Sequence, residues 1–125
     1  MTTRPANPRH ELGKRGEDLA VDYLTRHGLK FLIRNWRCRE GEVDILLTDD
    51  SARVLVACEV KTRSGGGFGT PAEAVDDEKA RRVRLVATHW LAHFKVPWVP
   101  IRGDIMSIVW PPNTTPRIRH WKGAF

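Results

Sequence analysis

Two stretches of this 125-residue chain hold the side chains best placed for chemistry: GEVDILL, from Gly41 to Leu47, and VACEVKTR, from Val56 to Arg63. Each sets charge into a run of Val, Ile, Leu and Ala, where a carboxylate or an ammonium needs a reason to be. Strand side chains alternate faces, so Val43, Ile45 and Leu47 share one face and Glu42, Asp44 and Leu46 the other. On the second stretch Val54, Val56, Cys58 and Val60 share a face, opposite Leu55, Ala57, Glu59 and Lys61. A hairpin closed by Asp50 to Arg53 sets Asp44 opposite Glu59, with Val43 facing Val60, Ile45 facing Cys58 and Leu47 facing Val56. A slip of one residue would turn the charged face of one strand onto the apolar face of its neighbour, which argues for this register. Opposed residues have Cβ atoms about 4.5–5.5 Å apart, close enough for two carboxylates to share a divalent cation. Without a cation the two repel and raise each other's pKa.

That arrangement suits phosphodiester cleavage. Asp44 and Glu59 are hard oxygen donors for Mg²⁺ or Mn²⁺, and the backbone carbonyl of Val60 is placed to be another. Such an ion polarises a phosphoryl oxygen and steadies the leaving oxygen. Lys61, two residues beyond Glu59 on the same face, would position or deprotonate the attacking water and offset transition-state charge. Glu17 is a fourth candidate, one turn before Ala20 and directed at the sheet.

These residues need elements to hold them. A helix is expected from His10, with Leu12, Gly16, Leu19, Ala20, Tyr23 and Leu24 at three- and four-residue steps and Gly28 as its stop. Gly13, Gly16 and Ala20 line one flank, where small residues let the helix backbone approach a sheet. Strands are expected over Leu29 to Trp36, Glu42 to Thr48 and Val54 to Lys61. After the glycine-rich loop Thr62 to Gly69, Thr70-Pro71-Ala72-Glu73 reads as a capping box. Asp76 caps a longer helix running to about Phe94, with Ala80, Val83, Ala87, Trp90, Leu91 and Phe94 as its buried stripe. Strands over Trp98 to Ile101 and Ile105 to Trp110, and an edge strand from Ile118 to Trp121, complete one mixed α/β domain over residues 10–125. Residues 1–9 read as a disordered N-terminal tail.

Composition points to a polyanion. The sequence carries 21 Lys+Arg against 15 Asp+Glu, a formal charge of +6, and a pI near 9.9. Fifteen of the cations are arginines, whose forked donors match phosphate. No apolar run approaches the ~18 residues of a membrane span. Cys38 and Cys58 make neither a disulfide framework nor a CxxC pair, so a reducing cytoplasm is the natural setting. Cys58, in an apolar run, reads as a small core residue.

Gly13-x-x-Gly16-Glu17, Gly41-Glu42-Val43-Asp44 and Glu59-Val60-Lys61, in this order and compact spacing, resemble the YraN-like family, also called UPF0102, within the PD-(D/E)xK nuclease superfamily near archaeal Holliday-junction resolvases. The resemblance spans about His10 to Trp110. It implies a restriction-endonuclease-like fold, a central mixed sheet flanked by helices, with Glu17, Asp44, Glu59 and Lys61 at a metal-dependent site. It also points to Lys79 as a phosphate contact, and resolvase-like relatives imply a homodimer. Arg102-Gly103-Asp104 stands where the family shows Arg-Phe-Asp, a departure that bears on local packing.

The expectation is therefore a metal-dependent nuclease acting on DNA, branched or structured DNA included, with Arg63, Lys79, Arg81 and Arg102 as nucleic-acid contacts. Glu17, Glu42, Asp44, Glu59 and Asp104 are expected to make the site and its rim acidic within a basic exterior. Two other readings fit the same residues: a nucleic-acid-binding module without independent catalysis, and a protein-interaction or assembly factor. The plain reading of Asp44, Glu59 and Lys61 is a surface salt-bridge cluster. His89 and His93, one helical turn apart without further ligands, read as helix-surface histidines rather than a zinc site. The five tryptophans read mostly as core.

Overall fold

The computed structural model describes residues 7–65 and 75–125. Its elements run α1 (Pro8–Arg26), β1 (Lys30–Cys38), β2 (Gly41–Asp49), β3 (Val54–Arg63), α2 (Asp77–His93), β4 (Ile101–Val109) and β5 (Arg117–Trp121). The expected capping box at residues 70–73 lies outside the described residues.

Local chemistry explains most boundaries. α1 begins two residues before His10, because the Asn7 side chain accepts the Arg9 N–H and Pro8 takes the first turn. It ends with Gly28 at φ +95 and the Leu29 N–H bonded back to the Leu24 carbonyl, a left-handed closure that glycine makes without strain. β1 runs to Cys38, beyond Trp36, and pairs Cys38 with Gly41 across a tight turn of Arg39 and Glu40. Asp76 caps α2 by accepting the Lys79 N–H at 2.8 Å. The two strands expected on either side of Arg102-Gly103-Asp104 are one, Ile101–Val109. Trp98 to Pro100 lie outside it, where prolines 97 and 100 have no N–H for a ladder.

The sheet has the strand order β1-β2-β3-β4-β5. β3 and β4 are parallel and the other neighbours antiparallel, so α2 lies on the crossover between β3 and β4. α1 packs on one face, with Ala20 and Leu24 against Ile45, Leu47, Val56, Cys58, Met106 and Ile108. α2 covers the other, with Val83, Val86, Ala87 and Leu91 against Val43, Leu46, Leu55 and Ala57. Cys58 is fully enclosed, as expected of a core residue, and burial pushes its thiol well up. This mixed sheet between helices is the α/β, restriction-endonuclease-like architecture that the sequence motifs imply.

Three packing expectations change. Val86 joins the buried stripe of α2, whereas Phe94 stands half in solvent beyond the helix end. Gly16 is buried against β3, where an added Cβ would land inside the Thr62 side chain, but nothing stands within 4 Å of the corresponding position at Gly13. Gly13 therefore does not serve the close approach to the sheet. At Gly103 an added Cβ would strike the ring of Phe125, so the chain's last residue fills the space over this glycine. No described helix is long and apolar enough to cross a membrane.

Candidate functional site

The β2–β3 ladder runs from Asp49↔Val54 to Ile45↔Cys58, the register and four-residue loop that the sequence predicts. One step further, side chains replace the ladder. The Asp44 N–H donates to Glu59 Oε2 at 3.0 Å, and the Val60 N–H donates to Asp44 Oδ2 at 2.8 Å. Each carboxylate thus grips the backbone of the opposite strand.

The face parity of β2 changes at the same point. Val43 packs with Leu46 on the α2 side, while Ile45 and Leu47 pack on the α1 side. This corrects the expectation that Val43, Ile45 and Leu47 share one face. Asn35, between the pairs Arg34↔Ile45 and Trp36↔Val43, takes a left-handed conformation with φ 51. Ile33 and Trp36 both pack on the α2 side, so β1 changes parity beside Asp44 as well. Asparagine enters that conformation more readily than most residues.

Electrostatics follow from burial. Glu59 is 5% exposed; desolvation, and then the charge of Asp44, push its carboxyl up to about 7. Asp44 is also raised, first by desolvation, with Glu17 and Glu42 adding to the shift and the Val60 N–H and Lys79 opposing it. Lys79, in the first turn of α2, brings its Nζ to 3.4 Å from Glu59 Oε1. Glu17 lies beside the pair, accepting from Arg34 at 3.3 Å and Asn35 at 3.1 Å.

A divalent cation suits this donor set: a buried and a half-buried carboxylate, both shifted toward protonation, are what a bound cation would relieve. In a strand a residue's N–H and C=O project to the same edge, so the Val60 carbonyl shares the edge from which its N–H reaches Asp44. Among the described residues, however, no three His, Cys, Asp or Glu side chains form a group that could hold a metal ion. Asp44, Glu59 and the Val60 carbonyl are the donors that would hold it.

The structure thus brings Asp44, Glu59, Val60 and Lys79 together with Glu17 alongside. Lys61 is exposed at the outer part of β3, and among the described residues it makes no ion pair. Arg63 ends the strand, where its carbonyl accepts the Trp110 N–H. Arg81 is exposed on α2, beside a hollow it shares with Arg84 and the 70% exposed Trp98. Arg102 is engaged elsewhere, bonded to Asp49 at 2.9 Å and to both oxygens of Asp104. Asp104 belongs to that network and not to an acidic rim, because His120 and the Gly123 N–H complete its shell. His89 faces Glu40 at 3.4 Å, and His93 lies against Trp36 and Phe94.

One feature escapes the motif reading. A cleft of about 740 Å³ opens between α1 and the β1–β2 hairpin, lined by Arg9, His10, Gly13 and Lys14 as well as Glu17 and Glu42. The signal was the helical spacing of His10, Lys14 and Glu17, at i, i+4 and i+7.

The family model described as "Uncharacterised protein family UPF0102" matches residues 16–108. A UPF0102 protein of Mycobacterium tuberculosis strain H37Rv is 47% identical over 126 residues, covering 98% of each chain. One from Mycobacterium avium strain 104 is 47% identical over 98% of this chain and 96% of its own. One from Mycolicibacterium smegmatis is 47% identical over 93% of this chain and 94% of its own.

Proposed function

The chain belongs to the UPF0102 family, and we propose that it is a metal-dependent nuclease of the PD-(D/E)xK kind, hydrolysing phosphodiester bonds in DNA. The observation that carries this reading is the pair of buried Glu59 and half-buried Asp44, cross-bonded between β2 and β3 with the Lys79 ammonium beside Glu59. Placing charge there is costly unless a cation joins it. Mg²⁺ or Mn²⁺ on these carboxylates would supply Lewis acidity at the phosphoryl group. The chain's own residues do the rest. Lys79 holds Glu59 in place, and Arg34 and Asn35 orient Glu17 beside Asp44. Lys61, exposed two residues beyond Glu59, offers its ammonium to the water or to a phosphoryl oxygen. The chain's net charge of +6 draws a polyanion to the surface.

The test is incubation with supercoiled, linear, single-stranded and four-way-junction DNA, with Mg²⁺ or Mn²⁺. Cleavage of at least one substrate is expected, reduced about 10²–10⁴-fold in Asp44→Ala and Glu59→Ala. No cleavage of any of them, or equal cleavage by both variants, would overturn the reading.

A second reading draws on the same geometry. Glu59 is already paired with Lys79, and no three described ligand side chains form a metal-holding group. That favours a nucleic-acid-binding module without independent catalysis. Its mark would be salt-sensitive DNA affinity that survives Asp44→Ala, with no cleavage.

A further inference from the structure

We infer that the cleft along the N-terminal half of α1 is a backbone-binding subsite, holding the nucleic-acid strand next to the phosphate that is cut. This rests on the nuclease reading above. Charge changes along the cleft, from cations at the start of α1 to the carboxylates of Glu17 and Glu42, with Arg34 paired to Glu17 between them. Arg9, His10 and Lys14 line it from α1, and among the described residues no ion pair engages their side chains. Glu17 and Glu42 line it too, and both act on the charge of Asp44, so the cleft opens toward the carboxylate pair. Unpaired cations leading to an acidic centre form a track for a phosphate chain: phosphate is favoured along α1 and disfavoured at the carboxylates. The N-terminal end of α1, with Asn7 as its cap, adds its positive dipole end to the same side.

Gly13 makes the second part of the case. A glycine inside a helix costs about 0.5–1 kcal/mol relative to alanine. At Gly16 close packing on Thr62 accounts for it, since no Cβ would fit. At Gly13 no packing does: the space around its missing side chain is open, and it opens into the cleft. A bare helix surface there lets a sugar-phosphate backbone lie against α1, between His10 and Lys14 and one turn from Glu17.

The experiment uses fluorescein-labelled single-stranded and duplex oligonucleotides, with binding followed by anisotropy from 50 to 200 mM salt. Cleavage kinetics are run on the same proteins. Gly13→Leu puts a branched side chain into the cleft where the strand would lie against α1 and is expected to weaken binding, or raise KM with kcat kept, by about tenfold, the effect of one blocked contact set. Arg9→Ala and Lys14→Ala should each weaken binding and reduce the salt slope by about one. Gly13→Ala, with its small side chain, checks that the helix tolerates substitution. The cleft assignment is overturned if Gly13→Leu and the Arg9→Ala, Lys14→Ala double variant both bind as tightly as wild type, or if wild type binds no oligonucleotide. Wild-type cleavage with unaffected variants would sink the subsite and leave the nuclease reading standing. Weakened variants with no wild-type cleavage would do the reverse, and the cleft would stand as a nucleic-acid site alone.

Discussion

Asp104 and Glu59 lie on adjacent strands paired in parallel, both enclosed, yet their surroundings treat charge in opposite ways. Burial alone would raise the Asp104 carboxyl, but bonds from His120, Arg102 and the Gly123 N–H outweigh it and hold the group below its usual range. Its neighbour Asp49 is held down to about 2, chiefly by the Ser51 hydroxyl and Arg102. Glu59 and Asp44 receive one backbone N–H each and the partial help of Lys79, and both move up. Buried acids surrounded by donors are part of the scaffold. Acids left short of donors are where the proposed cation would bind.

The sharpest way to break this contrast is Arg102→Ala. It strands Asp49 and Asp104 without their shared guanidinium, and loss of one partner from a buried charge network typically costs about 3–5 kcal/mol. Urea unfolding measures it. A loss under 1 kcal/mol would mean that Arg102 does not hold the two acids in the scaffold.

Glu59→Gln should act in the other direction. A carboxyl whose folded pKa is raised stabilises the fold below its unfolded pKa, and that stability is lost as pH rises toward 7. Metal-free wild type should therefore weaken across that window, and Glu59→Gln should not, leaving the variant ahead by about 1–2 kcal/mol at pH 8. The scaffold acids have the opposite slope. Their lowered pKa values give stability that is present above about pH 4 and lost as pH falls, for Asp49 toward about 2. Denaturation at about pH 2.5, pH 5 and pH 8 separates the two groups, the scaffold acids acting between the first two and Glu59 between the last two.

Lys79→Met gives the smallest effect. Lys79 is 43% exposed, so solvent screens its pull on Glu59, and the variant should lose about 0.5 kcal/mol at pH 8 and nothing at pH 4. An equal loss at both pH values would assign Lys79 to packing instead.

How much of this was legible in the sequence depends on the range of the contact. The Asp44–Glu59 register follows from strand parity and a four-residue loop, both local, and the helix start at Asp76 from a capping carboxylate three residues before the Lys79 N–H it accepts. The parity change at Asp44 was not legible, because it needs a left-handed Asn35 on the neighbouring strand and carboxylates that replace ladder bonds. Arg102 looked free for phosphate although Asp104, two residues along the same strand, was within its reach; Asp49 meets it only once β2, β3 and β4 are assembled. The Phe125 ring over Gly103 is hidden for the same reason: twenty-two positions of chain separate them. The tryptophans read mostly as core with one open to base stacking, but their scattered spacing could not say which; Trp98 stands 70% exposed in the segment before β4.

The central claim is that the Asp44–Glu59 pair is short of positive charge and takes a divalent cation. Calorimetric titration of the metal-free protein with Mn²⁺ at pH 7.5 tests it most directly. Saturable binding is expected in wild type, together with a rise in melting temperature of a few degrees at ten times the Kd. Both should be lost in Asp44→Asn and Glu59→Gln and kept in Arg81→Ala. No saturable binding, or binding equally strong in Asp44→Asn and Glu59→Gln, would contradict it.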